Sequence, residues 1–463
     1  MFQPSLEYLT AAYQRRDLSP LEVIRGSIER IEQVNPIINA IYHLDSGSAL
    51  EAAEASERRW RNKEPLGPLD GIPITIKDAL PTKGMPTFRG AASEVARVAE
   101  YDHPTVARVR EAGAIILGKN AMCDYGILAS GISTQHGVTR NPWNPQWNTG
   151  ASSSGAAASV AAGIEPATIG TDIVGSIRIP ASFCGLAGLK PSQGRVPYYF
   201  PNHPALVAGP MARNVIDLAL MMNVLTLPDA RDFTALEPTG TDYGQGLDKL
   251  DPSLLRVMAI LDLGLGVETA PSVRSALRAL SDALCGVGVN VEVSNSLPFD
   301  RADLAPVEDH YLMRCFCELS NAPPEMQRRS EYLYSWTRRA TGISGISLQR
   351  SLNAIQLLKE RAIQLLGEAD FLILPSTSDT AFAADQLAPP GCEPFALWGA
   401  TCLFNLTGQP AASVPFGTDE DGKPIGIQIV GRRFADIDVL RFARLVEKLA
   451  PELGNPKGLD SHL

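Results

Sequence analysis

Short runs of β-branched residues alternate with helical segments along the first half of the chain, and this alternation constrains the fold most. The runs at 71–78 (GIPITIKD) and 114–117 (AIIL) have the composition of buried strands, and a helix beginning near 102–104 separates them. Strand and helix patterns continue to alternate to about residue 220. Such alternation predicts an α/β protein in which helices are layered on a central sheet.

The chain divides into regions of different character without a low-complexity linker between them. Residues 1–64 are predicted to be helical, and Ser19-Pro20-Leu21-Glu22 has the pattern of a capping box. Residues 65–220 hold the alternating pattern and are predicted to be the core that carries the chemistry. Residues 300–368 are predicted to form a helical excursion, which either caps the cleft or packs as ordinary core helices. All 463 residues, 1–463, are therefore expected to form a single domain.

Further elements are predicted downstream from apolar runs and helical periodicity. The predicted strands are 166–171, 256–260, 371–374, 412–415 and 425–430, and the last predicted helix is 436–449.

Composition excludes several classes of function. The net charge of −10 argues against a nucleic-acid partner, whose binding surface would be basic. The chain has no apolar run of about 18 residues, so no membrane span is expected. None of the seven cysteines has a zinc-site spacing with a histidine, which predicts free thiols and no metal. With no apolar leader at the N-terminus, a cytoplasmic location is expected.

Two turns rich in hydroxyl groups and glycine are the first candidates for chemistry. The first turn contains Ser152, Ser153 and Ser154, and the second contains Asp172, Gly175 and Ser176. A glycine before Ser176 lets the backbone turn sharply, so that successive N–H groups converge on one point. A serine oxygen beside such groups is placed for nucleophilic attack. On these residues alone, an ordinary loop serine and a helix N-cap serine explain the turns equally well.

A serine nucleophile needs a base, and the histidines do not supply one by motif. The sequence lacks a G-x-S-x-G elbow, which disfavours a Ser-His-Asp arrangement. Lys77 ends the run Ile72-Pro73-Ile74-Thr75-Ile76, and burial among apolar groups would lower its pKa enough to make it a base. From local sequence alone, an ion pair between Lys77 and Asp78 or another carboxylate explains the lysine better.

Taken together, these segments resemble the amidase signature family. The matching motifs are GIPITIKD, the serine-rich turn, GTDIVGSIRIPASFCGLAGLKP, NLTGQPAASVPFG and GIQIVGRR, and they extend over nearly the whole chain. The resemblance implies an α/β/α layered fold with a mixed central sheet covered by helices on both faces. It also implies a Ser–cis-Ser–Lys triad, in which Ser176 is the nucleophile, Ser152 the bridging serine on a cis peptide bond, and Lys77 the base.

The resemblance implies roles for further residues. The oxyanion hole is expected from the backbone N–H groups of Ile173, Val174, Gly175 and Ser176. Supporting roles are expected for Ser153, which would hydrogen-bond within the network, and for Asp172 and Arg178, which would brace the loop. The acyl side of the pocket is expected to be lined by Gly126, Leu128 and Ser130. No cofactor and no metal are implied.

This chain departs from the family pattern at three positions, where Ala151, Ser154 and Val174 replace residues that are usually glycine. Val174 is the sharpest departure because a β-branched residue resists a positive φ. Either the oxyanion loop does not need that conformation at residue 174, or the loop is strained. The second case predicts that Val174→Gly changes kcat more than stability.

The function implied is hydrolysis of the C–N bond of a small carboxamide through a serine acyl-enzyme, which releases a carboxylate and ammonia or an amine. Three alternatives stay open: a hydrolase of carbamoyl or urea-type amides, a non-catalytic amidase-like binding protein, and a glutamine-hydrolysing subunit of an amidotransferase. The expected partner is a small-molecule amide, with no nucleic acid and no membrane. A homodimer is compatible with the resemblance, since family members are often dimers.

Overall fold

The structure is a computed structural model that describes residues 4–199, 203, 205–265, 267–393 and 396–459. Its α-helices are α1 Leu6–Arg15, α2 Pro20–Ile38, α3 Ser46–Asn62, α4 Pro104–Glu111, α5 Ser154–Ala161, α6 Arg178–Phe183, α7 Val215–Leu225, α8 Pro271–Gly286, α9 Arg301–Ser320, α10 Pro324–Gln327, α11 Glu331–Thr337, α12 Gly345–Gln364, α13 Gly399–Leu406 and α14 Asp436–Leu449.

One large sheet runs through the molecule. Its strands are β1 Ile41–Leu44, β2 Pro73–Lys77, β3 Ile115–Asn120, β4 Ala167–Asp172, β5 Ala187–Lys190, β6 Val207–Ala212, β7 Arg256–Ile260, β8 Asn290–Ser294, β9 Phe371–Pro375, β10 Ala411–Thr418 and β11 Pro424–Val430. Their spatial order is β1-β3-β2-β4-β6-β5-β10-β11-β9-β7-β8. Short two-stranded ribbons pair Pro86–Thr87 with Arg97–Val98, Ile132–Ser133 with Gly137–Val138, and Arg140–Asn141 with Asn144–Asn148.

The sheet is mixed, and its parallel part positions the two turns. Strand β2 is parallel to β3 on one side and to β4 on the other, where Ile76 pairs with Ile169. The carboxyl ends of parallel strands lie at the same edge of a sheet. Lys77, the last residue of β2, therefore lies beside Thr171 and Asp172 at the end of β4. From β4 through β6, β5, β10 and β11 to β9, each neighbouring pair is antiparallel, whereas β9, β7 and β8 are parallel to one another.

Helices cover both faces of the sheet, which confirms the layered α/β/α prediction. Helix α5 is buried along its whole length, because its alanines pack against Ile177 and Ala181 near and within α6 and against Met211 of β6. Small side chains let this helix lie close to the sheet, which explains why the segment is so rich in alanine. The long helices α9 and α12 lie within residues 300–368, where helices were predicted.

Most of the elements predicted from sequence are present. The predicted capping box on α2 forms, with reciprocal hydrogen bonds between Ser19 and Glu22. Strands β1, β5, β6 and β8 were not predicted; β5 (AGLK) and β6 (VAGPMA) contain few of the β-branched and aromatic residues that mark a strand. No helix in the described part of the chain is both long and apolar enough to cross a membrane.

Candidate active site

The two serine and glycine turns meet beside the carboxyl ends of β2 and β4. The Ser153 N–H donates a hydrogen bond of 3.2 Å to the carbonyl oxygen of Ser176, which joins the first turn to the second. The peptide bond between Ala151 and Ser152 is cis, as the family resemblance implies. The structure thus brings together serines that are about two dozen residues apart in sequence.

Lys77 connects this pair of turns to the sheet. Its Nζ donates hydrogen bonds of 2.8 Å to Ser152 Oγ, Ser153 Oγ and Thr171 Oγ1. The side chain is fully buried, and this burial lowers the pKa of Lys77 from 10.5 to about 7 against the weaker opposing effects of Cys123 and Asp172. A lysine with this pKa is about half neutral at pH 7 and becomes largely neutral as the pH rises further, and a neutral amine can accept a proton.

The neighbouring Asp78 does not form the ion pair with Lys77 that local sequence also allowed. Its Oδ1 accepts hydrogen bonds from the Tyr42 hydroxyl and the Phe88 N–H, and its Oδ2 accepts one from the Gly90 N–H. Asp78 directly follows Lys77, the last residue of β2, and the alternation of side chains along an extended chain turns the two to opposite sides. The alternative in which Lys77 forms an ion pair with Asp78 is therefore wrong.

Ser153 is the N-cap residue of α5, but its hydroxyl does not cap the helix. An N-cap serine ordinarily accepts a hydrogen bond from the helix backbone two or three residues ahead. Here Ser153 Oγ instead accepts from Lys77 Nζ at 2.8 Å and from the Thr171 N–H at 3.3 Å. The hydroxyl is thus committed to the lysine network rather than to the helix end, which the N-cap explanation did not predict.

The second turn places Ser176 beside glycine in an unusual conformation. Gly175 has φ of +129°, and a Cβ atom there would lie 2.9 Å from Thr401 Cβ. Val174 is not among the described residues with positive φ, so the loop takes its left-handed step at Gly175 and not at Val174. The oxyanion loop therefore does not need a positive φ at residue 174, and Val174 does not strain it in this way.

Asp172 and Arg178 hold this turn in place through hydrogen bonds and an ion pair. Asp172 accepts hydrogen bonds from the Gly175 N–H at 2.7 Å and the Ile177 N–H at 3.1 Å. Arg178 Nε and Nη2 donate to the two oxygens of Asp172 at 3.0 and 2.9 Å, and both side chains are fully buried. Burial alone would raise the pKa of Asp172, but Arg178 and Asn405 outweigh it and hold the pKa at about 2. The carboxylate is therefore a fixed anchor for the loop.

The brace also limits which N–H groups are available to an oxyanion. Of the four predicted oxyanion donors, Gly175 directs its N–H to Asp172. Among the described residues, the N–H groups of Ile173, Val174 and Ser176 have no such partner. Ser176 Oγ likewise has no hydrogen bond to Ser152 Oγ within the described residues, and catalytic hydrogen bonds are often loose in an enzyme without substrate.

A cavity of about 410 Å³ opens onto these groups. Near the turns it is lined by Gly126, Ser152, Thr171, Ile173 and Ser176. Further out its walls are aromatic and charged, and include Arg89, His103, Tyr125, Tyr198, Tyr199, Arg314, Glu318 and Asn321. Arg314 and Glu318 come from α9, so the predicted helical excursion contributes one wall.

The three predicted pocket residues have different positions. Gly126 lines the cavity, and a Cβ atom on it would lie 3.1 Å from Ser152 Oγ. Leu128 and Ser130 are buried and do not belong to the cavity lining that the described residues form. Ser130 Oγ donates to the Gln386 carbonyl oxygen at 2.7 Å and accepts from Asn148 Nδ2 at 2.9 Å. These contacts give Ser130 a role in joining two loops.

Three residues of the network were not singled out from the sequence. Thr171 contacts Lys77, Thr401 Oγ1 donates to the Val174 carbonyl oxygen, and Asn405 Nδ2 donates to Asp172 Oδ1 at 2.9 Å. Thr171 lies one residue before a predicted site residue and could have been found by strand position. Thr401 and Asn405 lie more than 220 residues from their partners, and no local signal connects them.

Comparisons with known proteins bear on this site. The amidase family model matches residues 22–440. The A subunit of the glutamyl-tRNA(Gln) amidotransferase of Chloroflexus aurantiacus is 33% identical over 477 residues, with 95% of each chain covered. An acylamidase of Rhodococcus erythropolis is 32% identical over 461 residues, which cover 96% of this chain and 94% of that protein.

Solved structures show the same relationship. A bacterial aryl acylamidase of the amidase signature enzymes has a TM-score of 0.88 and 27% identity, with 99% of this chain and 97% of that chain covered. A 6-aminohexanoate cyclic dimer hydrolase has a TM-score of 0.86 and 26% identity, with 99% of both chains covered. Together with the nearly full-length sequence matches, these likenesses show that the chain belongs to the amidase family and is an amide-hydrolysing enzyme.

Proposed function

We propose that Ser176 is the nucleophile of this enzyme, that Ser152 transfers protons to and from it, and that Lys77 is the base. One observation carries the proposal: the buried Lys77 Nζ lies 2.8 Å from Ser152 Oγ, and Ser152 shares a cavity with Ser176. A lysine held by hydroxyl groups rather than by a carboxylate, with a pKa near 7, has the property that a general base needs.

The reaction then proceeds in two halves. Neutral Lys77 accepts a proton from Ser152, which accepts one from Ser176 as Ser176 Oγ attacks the amide carbonyl carbon. The N–H groups of Ile173, Val174 and Ser176 stabilise the oxyanion, while Gly175 keeps its N–H on the Asp172 anchor. The proton returns through Ser152 to the leaving nitrogen as the C–N bond breaks. Water then attacks the acyl-enzyme ester by the same relay and releases the carboxylate.

The cavity and the relatives together favour a small amide with a substituted nitrogen. A volume of about 410 Å³ fits a small molecule of modest size. The aromatic residues Tyr125, Tyr198 and Tyr199 in its walls suit an apolar or aryl portion next to the amide. Similarity to an acylamidase and to an aryl acylamidase supports the same substrate class, in which hydrolysis yields a carboxylate and an amine.

Labelling with a fluorophosphonate probe tests the nucleophile. We expect one covalent adduct per chain, located on Ser176 by peptide mass spectrometry and absent from Ser176→Ala. Ser154→Ala is a matched control, because Ser154 belongs to the same group of turns but its Oγ donates to the Ala121 carbonyl oxygen at 3.3 Å, away from the cavity. An unlabelled wild-type chain would favour the non-catalytic binding protein instead.

A glutamine-hydrolysing subunit is the second candidate, favoured by the 33% identity to the A subunit of an amidotransferase. Such a subunit would depend on partner proteins, whereas an amidase acts alone. Ammonia release from glutamine by the purified chain, compared with amine release from acyl-anilides and acyl-alkylamines, distinguishes the two. Carbamoyl and urea-type amides in the same panel test the remaining hydrolase alternative.

Three further expectations belong to this proposal. We infer a cytoplasmic location from the free thiols, which cell fractionation tests. A homodimer stays a prediction, which light scattering during size-exclusion chromatography tests. The single domain with residues 300–368 as a substrate cap also stays a prediction, supported by Arg314 and Glu318 in the cavity wall, and limited proteolysis with and without substrate tests it.

A further inference from the structure

The wall of the cavity that α9 and Arg89 form together carries more positive than negative charge. Arg89 and Arg314 line it together with a single carboxylate, Glu318. His103 also lines the cavity, but its burial lowers its pKa to about 3 and leaves the ring neutral at pH 7. Two guanidinium groups therefore face one carboxylate at this wall, since arginine is always protonated.

Arg89 compensates Glu318. Its Nη1 lies 2.6 Å from Glu318 Oε2, and its guanidinium lies 5.1 Å from the centre of the Tyr125 ring. Arg89 and Tyr125 both have positive φ, at 53° and 49°, and the Tyr125 N–H donates to the Arg89 carbonyl oxygen at 2.8 Å. Such conformations in residues other than glycine persist where the surroundings hold them and are common at ligand sites.

Arg314 is held by several contacts, to Tyr311, Glu318 and Tyr125, rather than by one short ion pair. Its Nη1 is 3.5 Å from Glu318 Oε1 and its Nη2 is 3.5 Å from the Tyr125 carbonyl oxygen, both at the outer limit of a hydrogen bond. Its Nε has no hydrogen-bond partner among the described residues, although the side chain is only 7% exposed. The Tyr311 ring, 4.8 Å away, offers a face to the cation. Its surroundings stabilise the charged guanidinium despite burial and raise the pKa of Arg314, but Arg314 holds Glu318 at a longer distance than Arg89 does.

The other carboxylates near this wall, Glu94 and Asp124, do not line the cavity that the described residues form, and Glu94 interacts electrostatically with Arg89. Asp124 Oδ1 accepts from the Thr134 N–H at 2.7 Å, and its Oδ2 accepts from Ser330 Oγ at 2.7 Å and from Thr134 Oγ1. Its oxygens are therefore already used within the protein.

Arg314 is also close to the reacting groups. It contacts the carbonyl oxygen of Tyr125, and the next residue, Gly126, lies against Ser152 Oγ. Arg314, Ser152 and Ser176 line the same cavity of about 410 Å³. A small substrate in this cavity can have one end at Ser176 and the other at Arg314.

We propose that Arg314 binds a carboxylate of the substrate, so that the preferred substrates are amides carrying a carboxylate a few bonds from the amide carbonyl. This inference rests on the proposed function and names the substrate class of the same site. The planar guanidinium matches a carboxylate in a two-point contact, which Arg314 can offer from the cavity wall through its terminal nitrogens Nη1 and Nη2. The carboxylate lies either on the acyl portion or on the amine portion of the amide.

Two matched pairs of amides test the proposal and locate the charge. The monoamide of glutaric acid is compared with pentanamide for a carboxylate on the acyl side. N-Acetyl-β-alanine is compared with N-propylacetamide for one on the amine side. We expect kcat/KM to be about 10- to 100-fold higher for the charged member of one pair, as is typical when a hydrogen bond to a charged group is gained. Equal values within both pairs would overturn the proposal.

Variants assign the preference to the residue. Arg314→Gln should remove the preference by lowering kcat/KM for the charged substrate alone, whereas Arg314→Lys should keep part of it. Glu318→Gln should strengthen the preference, because it removes the competing carboxylate. Arg350→Gln is the control, since Arg350 is exposed on α12 and does not line the cavity. Equal losses for charged and neutral substrates in Arg314→Gln would mean a merely structural role.

Failure of the proposed function gives a different result from failure of this inference. If neutral amides are hydrolysed without a charge preference, the triad stands and the role of Arg314 is refuted. If no amide is hydrolysed, the two pairs of amides are titrated into the Ser176→Ala variant by calorimetry, and the affinities decide whether Arg314 binds the carboxylate. Tighter binding of the charged members, lost in Ser176→Ala/Arg314→Gln, supports the carboxylate site without catalysis, and equal binding refutes it.

Discussion

Burial of Lys77 among hydroxyl groups has a measurable consequence for stability. In the folded protein the pKa of Lys77 is about 7, against 10.5 for an ordinary lysine, because burial disfavours the charged form. Between these two pH values the unfolded chain binds a proton at this residue and the folded protein does not. Since stability rises with pH wherever the unfolded state holds more protons, wild type should gain stability from pH 7 to about pH 10.

Replacing Lys77 with methionine removes this dependence, because methionine has a similar volume and no titratable group. The advantage of Lys77→Met over wild type should fall by about 1.4 kcal/mol per pH unit, the value of one proton per unit. Between pH 7.5 and 9.5 the two pKa values give a change of about 2.5 kcal/mol. Comparing two variants at each pH cancels the titration of all other groups.

The assay is equilibrium unfolding in urea at several pH values, with Lys83→Met as an exposed control that should show no such change. The same Lys77→Met variant should lose at least about 100-fold in kcat, the lower range for loss of a general base. In wild type, kcat/KM should rise as the pH increases through about 7, since the neutral amine is the active form. If the difference in free energy of unfolding between wild type and Lys77→Met changes by less than about 0.5 kcal/mol from pH 7.5 to 9.5, Lys77 is not neutral in the folded protein at these pH values.

Three further predictions concern the second turn. Arg178→Met leaves Asp172 buried without its counter-charge, so the free energy of unfolding in urea should fall by about 3–5 kcal/mol, and adding Asp172→Asn should recover part of the loss. Gly175→Ala should lower kcat strongly, because φ of +129° and contact with Thr401 leave no room for a methyl group, and an unchanged kcat would contradict the described turn. Val174→Gly should lower the free energy of unfolding by about 2 kcal/mol, because it removes buried apolar surface and relieves no positive φ; a gain in kcat without loss of stability would contradict this reasoning.

The layered fold was predictable from sequence because its strongest signals are local. The β-branched run that became β2 and the apolar runs that became β3 and β9 carry their own evidence of burial. The order of strands was not predictable in the same way. Strand β5 pairs with β10, more than 200 residues downstream, and the alanines and glycines of β5 and β6 leave little strand signal.

The residues of the candidate site also fall into two groups, those that local sequence motifs reveal and those that only the structure reveals. Lys77, Ser152 and Ser176 were singled out because they stand in motifs that the family shares. Arg314 was not, since an arginine in a helix rich in charged residues is ordinarily exposed. Its burial and its place in the cavity depend on how α9 packs over Tyr125, which no local pattern encodes. Contacts between distant segments are thus the part of the site that needs a structure.

The parallel pairing of β2 with β4 determines which insertions and deletions this protein tolerates. Side chains alternate between the two faces of a strand, so Lys77 reaches the serines only because Ile76 pairs with Ile169 in this register. A deletion of one residue within 73–76 would turn the lysine towards the opposite face while every residue of the triad remained in the sequence. Inactive relatives that have lost function in this way would keep all three triad residues, and only the shortened run before the lysine would reveal the loss.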